Sequence, residues 1–334
     1  MGSFMTRNYR VYIEELDRYV NFVDRDVEIK ELLKVIRKGT VFPIAIYGPE
    51  GCGKTALLRY IAREVAMWNN VVVVYIDALE QFDLEKALFT THKEAFEVIQ
   101  DLLSIPFGVS LARITMAIIS RLAKKISLKG KNVVVIVDDV YRAIGIENVD
   151  RYTKSLYEWI GYLHEKYEVG NVAIILSTSE GISKRELSRH TYVDIRMLWN
   201  LPREGFRELV HQLKPPSTID VNTLWRLTGG NPRALIELAK LNWSKETWIN
   251  IIYENKIRRA IHYIDKNKLL SLVRDPDSDW ETAEKLEELG LMIELRHTAV
   301  IGKAPNPNPE LGIGREWAWQ IPIYKEVARK FTKS

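Results

Sequence analysis

The sequence predicts an α/β fold: a five-stranded parallel sheet buried between helices, then a helical region, then a small C-terminal unit of helices and two strands. Three observations predict it. Short, continuous apolar runs at residues 42–47, 71–77, 133–138, 172–177 and 192–198 alternate with stretches of helical periodicity, the pattern of strands covered on both faces. After Leu201-Pro202 the strand-like runs stop and helical patterns occupy residues 204–273, broken at Pro215-Pro216-Ser217 and at Thr228-Gly229-Gly230-Asn231-Pro232. From Asp275 onward a capped helix at 280–289 ends at Gly290, two strand-like pieces near 291–295 and 316–321 flank a loop rich in Pro, Asn and Gly, and an amphipathic helix follows at 323–331.

Taken in order, the first apolar run leads into Gly48-Pro49-Glu50-Gly51-Cys52-Gly53-Lys54-Thr55, which fits GxxxxGK[ST]. Each residue type there answers a need of phosphate chemistry. Glycines let backbone N–H groups converge where a Cβ would obstruct the turn or the ligand. Lys54 is placed to reach the β- and γ-phosphates, and the Thr55 hydroxyl to ligate magnesium. The helix that begins there, with Leu57, Leu58, Ile61 and Val65 on one face, adds its positive N-terminal end. A strand before the loop and an amphipathic helix after it make the match specific: the expected core is that of a P-loop NTPase, and the expected cofactors are ATP or ADP with magnesium. Cys52 sits where a lowered thiol pKa would make oxidation a block to nucleotide, but a small residue simply fits that position, and packing is the preferred reading.

The run at 71–77 supplies a second strand. The third, Val133-Val134-Val135-Ile136-Val137-Asp138-Asp139, delivers carboxylates at its carboxyl end, where ligands of open α/β sheets collect. Asp138 is the expected magnesium residue. Asp139 stands where ATPases with an additional strand carry Glu, the group that orients or deprotonates the attacking water, and one methylene less shortens its reach. The fourth run closes on Ser177-Thr178-Ser179, whose hydroxyls either contact the attacking water or γ-phosphate, with Ser177 or Thr178 as the candidate, or cap the following turn. The fifth run ends before Leu201-Pro202. Residues 1–20 then read as an N-terminal segment, 21–202 as the core, 203–270 as a helical lid and 271–334 as a winged-helix-like domain.

With these pieces the chain resembles the archaeal P-loop ATPases of the STAND group and, more distantly, origin-recognition-type replication initiators of the AAA+ class. The resemblance spans nearly the whole chain. Phe22-Val23-Asp24-Arg25-Asp26-Val27-Glu28 is similar to the F-x-x-R-x-x-E segment that precedes the P-loop in both groups, which implies that Val23 and Arg25 help enclose the nucleotide base. Ser188-Arg189-His190 and Gly229-Gly230-Asn231-Pro232-Arg233 are the last two matches. By resemblance, Arg189 senses the γ-phosphate, although this chain has Ser-Arg where the group has Gly-Arg, and Pro232 packs near adenine. Arg233 matches the second sensor arginine of the initiators, and its place in the first turn of a lid helix suits a rigid guanidinium swinging onto a triphosphate. The commoner fate of either arginine is a surface salt bridge.

Composition bounds the partners. Lys plus Arg exceed Asp plus Glu by only 48 to 44, so any basic face must be local. One cysteine excludes an internal disulfide and is too few for a zinc ribbon, which fits a cytoplasmic protein. The apolar runs are too short to cross a bilayer. From Ser271 onward nine basic residues face eleven acidic ones, and the helix that would enter a DNA groove carries Glu281, Glu284, Glu287 and Glu288 against Lys285. A wing contact through Arg296, Lys303 and Arg315 stays open, as does a basic patch of Lys256, Arg258, Arg259, Lys266 and Lys268. The favoured function is therefore a magnesium-dependent ATPase acting as a nucleotide-driven switch with a protein partner. A DNA-binding initiator or remodeler, and an ATP-binding adaptor with vestigial hydrolysis, are the alternatives. Trp225, Trp243, Trp248 and Trp280 mark either an interface or, preferably, core packing. The sequence leaves oligomerisation open.

Overall fold

The computed structural model describes residues 9–79, 88–90, 111–178, 181–189, 191–295 and 299–332; Ser179, His190 and Arg296, singled out above, lie outside them. Contacts divide the chain into two compact units, Glu28–Tyr47 with Leu57–Arg196, and Met1–Val27 with Gly48–Ala56 and Met197–Ser334. The expected core segment, 21–202, contributes to both.

In chain order, β1 (Arg10–Ile13) and β2 (Arg18–Asn21) precede α1 (Asp26–Lys38), β3 (Ile44–Tyr47), α2 (Lys54–Ala66), β4 (Val71–Asp77), β5 (Leu88–Thr90) and α3 (Leu111–Lys125). Next come β6 (Asn132–Asp138), α4 (Val140–Ile144), α5 (Val149–Tyr167), β7 (Val172–Thr178), α6 (Gly181–Leu187) and β8 (Asp194–Leu198). The helical stretch holds α7 (Arg203–Leu213), α8 (Val221–Thr228), α9 (Pro232–Lys240), α10 (Lys245–Ile252), α11 (Arg258–Tyr263) and α12 (Lys266–Arg274). Finally α13 (Trp280–Glu288), β9 (Met292–Glu294), β10 (Ala299–Ile301), β11 (Trp317–Trp319) and α14 (Pro322–Thr332) complete the described chain.

In the sheet-bearing unit, hydrogen-bonded neighbours follow the order β8-β3-β7-β6-β4-β5. The pairs β3/β7, β7/β6 and β6/β4 are parallel, in a register that sets Tyr47 beside Thr178 and Asp77 beside Asp138. The valine-rich runs form these strands because both faces are covered: Val72, Val74, Val133, Val135, Val137, Ile174 and Leu176 pack in one cluster with Ile118, Leu122, Leu156 and Leu163 of α3 and α5. All five expected strands are present. A sixth, β5, pairs antiparallel with β4 at the edge, and at three residues it is too short to leave a periodic signal.

The other unit has its own core. Ile13, Val20 and Val23 lie in one buried cluster with Phe206, Leu209, Leu235, Trp248, Leu269, Met292, Trp317, Trp319 and Ile323. Residues 10–21, all but the last expected only as part of an N-terminal segment, form an antiparallel hairpin anchored on α7: the Asn21 amide donates to Gln212 Oε1 at 2.6 Å and Arg18 Nη2 donates to the Leu213 carbonyl at 3.1 Å. Side chains stop the orphan amides at several helix starts. Asp220, Asn231, Ser244, Asp265 and Asp279 each accept from the first turn they precede. β9 and β11 pair antiparallel after α13, with Trp319 beside Met292. The loop before β11 is folded around one carboxylate, since Asp277 accepts from the amides of Arg315 at 2.7 Å, Glu316 at 3.1 Å and Trp317 at 2.8 Å.

Candidate nucleotide site

The glycine-rich loop lies between β3 and α2 and packs within the unit that holds the helices. Gly51 has φ +77°, and a Cβ there would lie 2.3 Å from the Arg233 Cβ, so the close approach of α9 requires glycine. Gly53 has φ +101°, and a Cβ there would meet no atom within 4 Å. Backbone conformation alone asks for glycine at that position. Lys54 opens α2 and is 7% exposed; its Nζ donates to the carbonyls of Gly48 and Pro49, each at 3.0 Å, with Cys52 Sγ at 3.9 Å. Those acceptors are neutral. Thr55 follows in the first turn of α2, half-buried. Cys52 is fully buried with its thiol 3.5 Å from the Leu198 carbonyl, as packing requires.

Arg25 is 2% exposed and clamps the loop from below: Nη2 donates to the Cys52 carbonyl and to the Trp199 carbonyl, both at 2.8 Å. To get there the chain takes left-handed conformations at Asp24 (φ 58°) and Arg25 (φ 71°), each costing roughly 1–2 kcal/mol for a residue with a Cβ. Val23 is buried in the cluster around Phe206.

The residues after Gly229-Gly230 reach the loop as well. Pro232 takes the first position of α9, and the Asn231 cap turns its other end on the loop, with Nδ2 donating to the Glu50 carbonyl at 2.9 Å and to Asn200 Oδ1 at 2.8 Å. Arg233 Nη1 pairs with Glu50 Oε1 at 2.8 Å, and Lys256 Nζ lies 3.5 Å from Glu50 Oε2. Burial works to raise the Glu50 carboxyl, but Lys256 and Arg233 outweigh it and hold it below the ordinary glutamate value. The Glu50 amide donates to Gln320 Oε1 at 2.9 Å, and Gln320 in turn donates to the Met292 carbonyl and accepts at its own carbonyl from Asn200. Arg189 stands apart from these groups in what it touches, pairing with Glu186 at 2.9 Å on an exposed surface.

In the sheet-bearing unit, Asp138 closes β6 and is 1% exposed. Ser177, fully buried at the end of β7, donates its hydroxyl to Asp138 Oδ1, and the Asp139 amide donates to Ser177 Oγ at 2.9 Å. The Tyr75 hydroxyl donates to Asp138 Oδ2 at 3.1 Å. Arg59 of α2 donates through Nε to Tyr75 Oη at 3.2 Å and through Nη2 to Asp77 Oδ2 at 2.9 Å. Burial, then the charge of Asp138, raise the Asp77 carboxyl above its ordinary range against the pull of Arg59. Asp139 precedes α4 with φ 49°, so the second acid turns away from the strand's own line. Tyr75, Asp77, Arg59, Asn200 and Gln320 were not selected from the sequence. A lone hydroxyl and a terminal acid in the otherwise apolar Val71–Asp77 strand were the available signal for the first two.

A sequence profile described as an ATPase domain predominantly from Archaea matches residues 22–238. The chain belongs to that family. Two further proteins are similar over shorter stretches. An uncharacterized ATP-binding protein of Methanocaldococcus jannaschii is 35% identical over 82 residues, 23% of this chain and 23% of its own length. A Thermoplasma acidophilum protein named as an ORC1-type DNA replication protein is 27% identical over 121 residues, 34% of this chain and 30% of its own. The chain thus spans under a third of the length of these curated relatives. Among solved structures, AMPPCP-bound DnaA from Aquifex aeolicus is similar at 18% identity and a TM-score of 0.40, covering 80% of this chain and 78% of that one. The Aeropyrum pernix ORC2 protein, in ADPNP–ADP complexes, is similar at 14% identity and a TM-score of 0.42, covering 99% and 98%.

Proposed function

We propose that this chain binds ATP with magnesium at the Gly48–Thr55 loop and hydrolyses it, using nucleotide state to reposition its helical and C-terminal segments. The observation that supports binding most directly is Lys54: a buried ammonium whose hydrogen bonds go to neutral acceptors of its own loop. An anionic phosphate would replace carbonyl contacts with charge-assisted ones, roughly twice as strong. The start of α2 and the open side of Gly53 favour the same ligand.

Thr55 and Asp138 are hard oxygen donors of the kind magnesium takes, and they are the residues assigned to it. When bound, the metal would neutralise charge on the β- and γ-phosphates. Asp139 is assigned to orient and deprotonate the attacking water, while Arg233 leaves Glu50 for the triphosphate and Arg189 serves as a further sensor. The switch reading is supported by the bonds the loop makes: Glu50 alone engages Asn231, Arg233 and Lys256 of the helical stretch and Gln320 of the C-terminal segment. A ligand that competes for Glu50's partners acts on all of them. The C-terminal helices and strands are read as a winged-helix-like unit directed at protein. On α13, Lys285 is tied to Glu281 among further glutamates, which leaves little for phosphate neutralisation.

Steady-state ATP turnover with and without double-stranded DNA, using Lys54→Ala to subtract background, tests this reading. Magnesium-dependent turnover indifferent to DNA is expected. Stimulation by DNA would favour an initiator or remodeler, and binding without turnover an adaptor.

A further inference from the structure

We propose that Tyr75 is a positioning residue for the magnesium-assigned carboxylate of Asp138, held in its role by Arg59. The inference rests on the proposed nucleotide function and extends it to residues outside the recognisable motifs.

Strand geometry comes first. β4 and β6 are parallel with Tyr75 opposite Ile136 and Asp77 opposite Asp138, so Tyr75, Asp77 and Asp138 share one sheet face by the period of two. The rest of β4 up to Tyr75 is valine, and packing alone asks nothing more than an apolar side chain there. Tyr75 is 2% exposed, and most buried hydroxyls have a hydrogen-bond partner.

The direction of each bond can be assigned. Arginine has donors and no acceptor, so its Nε–H at 3.2 Å fixes the Tyr75 oxygen as acceptor and leaves the phenolic hydrogen to donate. Its acceptor is Asp138 Oδ2 at 3.1 Å. By the same logic the Asp139 amide occupies Ser177 Oγ, and the serine hydrogen goes to Asp138 Oδ1. Each oxygen of Asp138 therefore receives one hydroxyl hydrogen, from opposite neighbours in the sheet. The carboxylate plane is fixed before any cation arrives, and the lone pairs left over are those a hydrated magnesium would use. Partners that orient a metal-binding carboxylate in this way typically affect metal affinity about 10–100-fold when removed. Arg59 adds the outer support, anchored at its other end on Asp77.

Nucleotide binding measured by equilibrium titration in magnesium and again in EDTA separates this role from packing. Tyr75→Phe keeps the ring and removes the hydroxyl. Its EDTA affinity is expected within about twofold of the parent, while the gain conferred by magnesium falls roughly tenfold and the magnesium concentration needed for half-maximal turnover rises. Arg59→Met, at a part-exposed site, should shift the magnesium gain in the same direction by less, and it carries the test if Tyr75→Phe does not fold. An unaltered magnesium gain in a folded Tyr75→Phe, or in Arg59→Met when that is the variant read, overturns the inference alone. A parent that binds no ATP overturns the proposed function and this inference with it.

Discussion

Lys54 and Asp139 are assigned to different steps, so their variants should part binding from turnover. Lys54→Ala is expected to weaken ATP binding at least about a hundredfold, since each hydrogen bond to a charged group is worth roughly 1.5–3 kcal/mol; fluorescent-nucleotide titration reads this. Asp139→Asn is expected to bind as the parent does while kcat drops by about two to four orders of magnitude, the usual range for a lost general base, and parental turnover in that variant would refute the role. Glu50 gives a pH prediction. Its carboxyl is held below the ordinary value in the folded chain, so the stability it contributes is fully present above that ordinary value and is lost as pH falls through the lower, folded one. The pair with Arg233 is partly exposed, and about 1 kcal/mol is the ceiling expected of it. Glu50→Gln should flatten that part of the acid limb in urea titrations at stepped pH.

At the scale of elements, Asp277 does for a loop what a cap does for a helix. Asp277→Ala would strand three amides that now share one carboxylate, and a loss of about 2–3 kcal/mol is expected from the denaturation midpoint, with Asp277→Asn losing less. The same scale explains what could be read from the sequence. The strands of the sheet announce themselves as valine and isoleucine runs because both faces are buried. β1 and β2 do not: Arg10-Val11-Tyr12-Ile13 mixes polar and apolar residues over one short strand, and the turn Glu14–Leu16 has neither glycine nor asparagine to mark it. Of the four tryptophans weighed as an interface, Trp248 is fully buried and hydrogen-bonded to Glu237, whereas Trp280 is exposed in part and stacks edge-on with Trp317. The loop Gly48–Thr55 was legible because its glycines, lysine and threonine keep a fixed spacing along the chain. Its partners were not, since Glu50 meets Arg233 across 183 positions and Gln320 across 270, and no local pattern encodes a contact of that separation.

For the whole molecule, ligand linkage supplies the simplest check. ATP with magnesium at a hundredfold excess over its dissociation constant should add about 2.7 kcal/mol to stability and raise the melting temperature, and Lys54→Ala, with binding weakened a hundredfold or more, should cut that gain to about 0.4 kcal/mol or less. Among the described residues no helix is long and apolar enough to cross a membrane. The two compact units are interleaved along the chain, which passes between them after Val27, Tyr47, Ala56 and Arg196. That interleaving bears on how the protein comes into being on the ribosome. Once Arg196 has been synthesised, every residue of the sheet-bearing unit exists and its core can close. Ile13, Val20 and Val23 must wait for Phe206, Trp248 and Met292, and the loop at Gly48 must wait for Asn231, Arg233 and Gln320. Chains emerge at roughly 5–20 residues per second, so the nascent polypeptide carries the Gly48–Thr55 loop without the full set of those partners for roughly ten to fifty seconds. A loop made early is thus among the last segments to reach its final form.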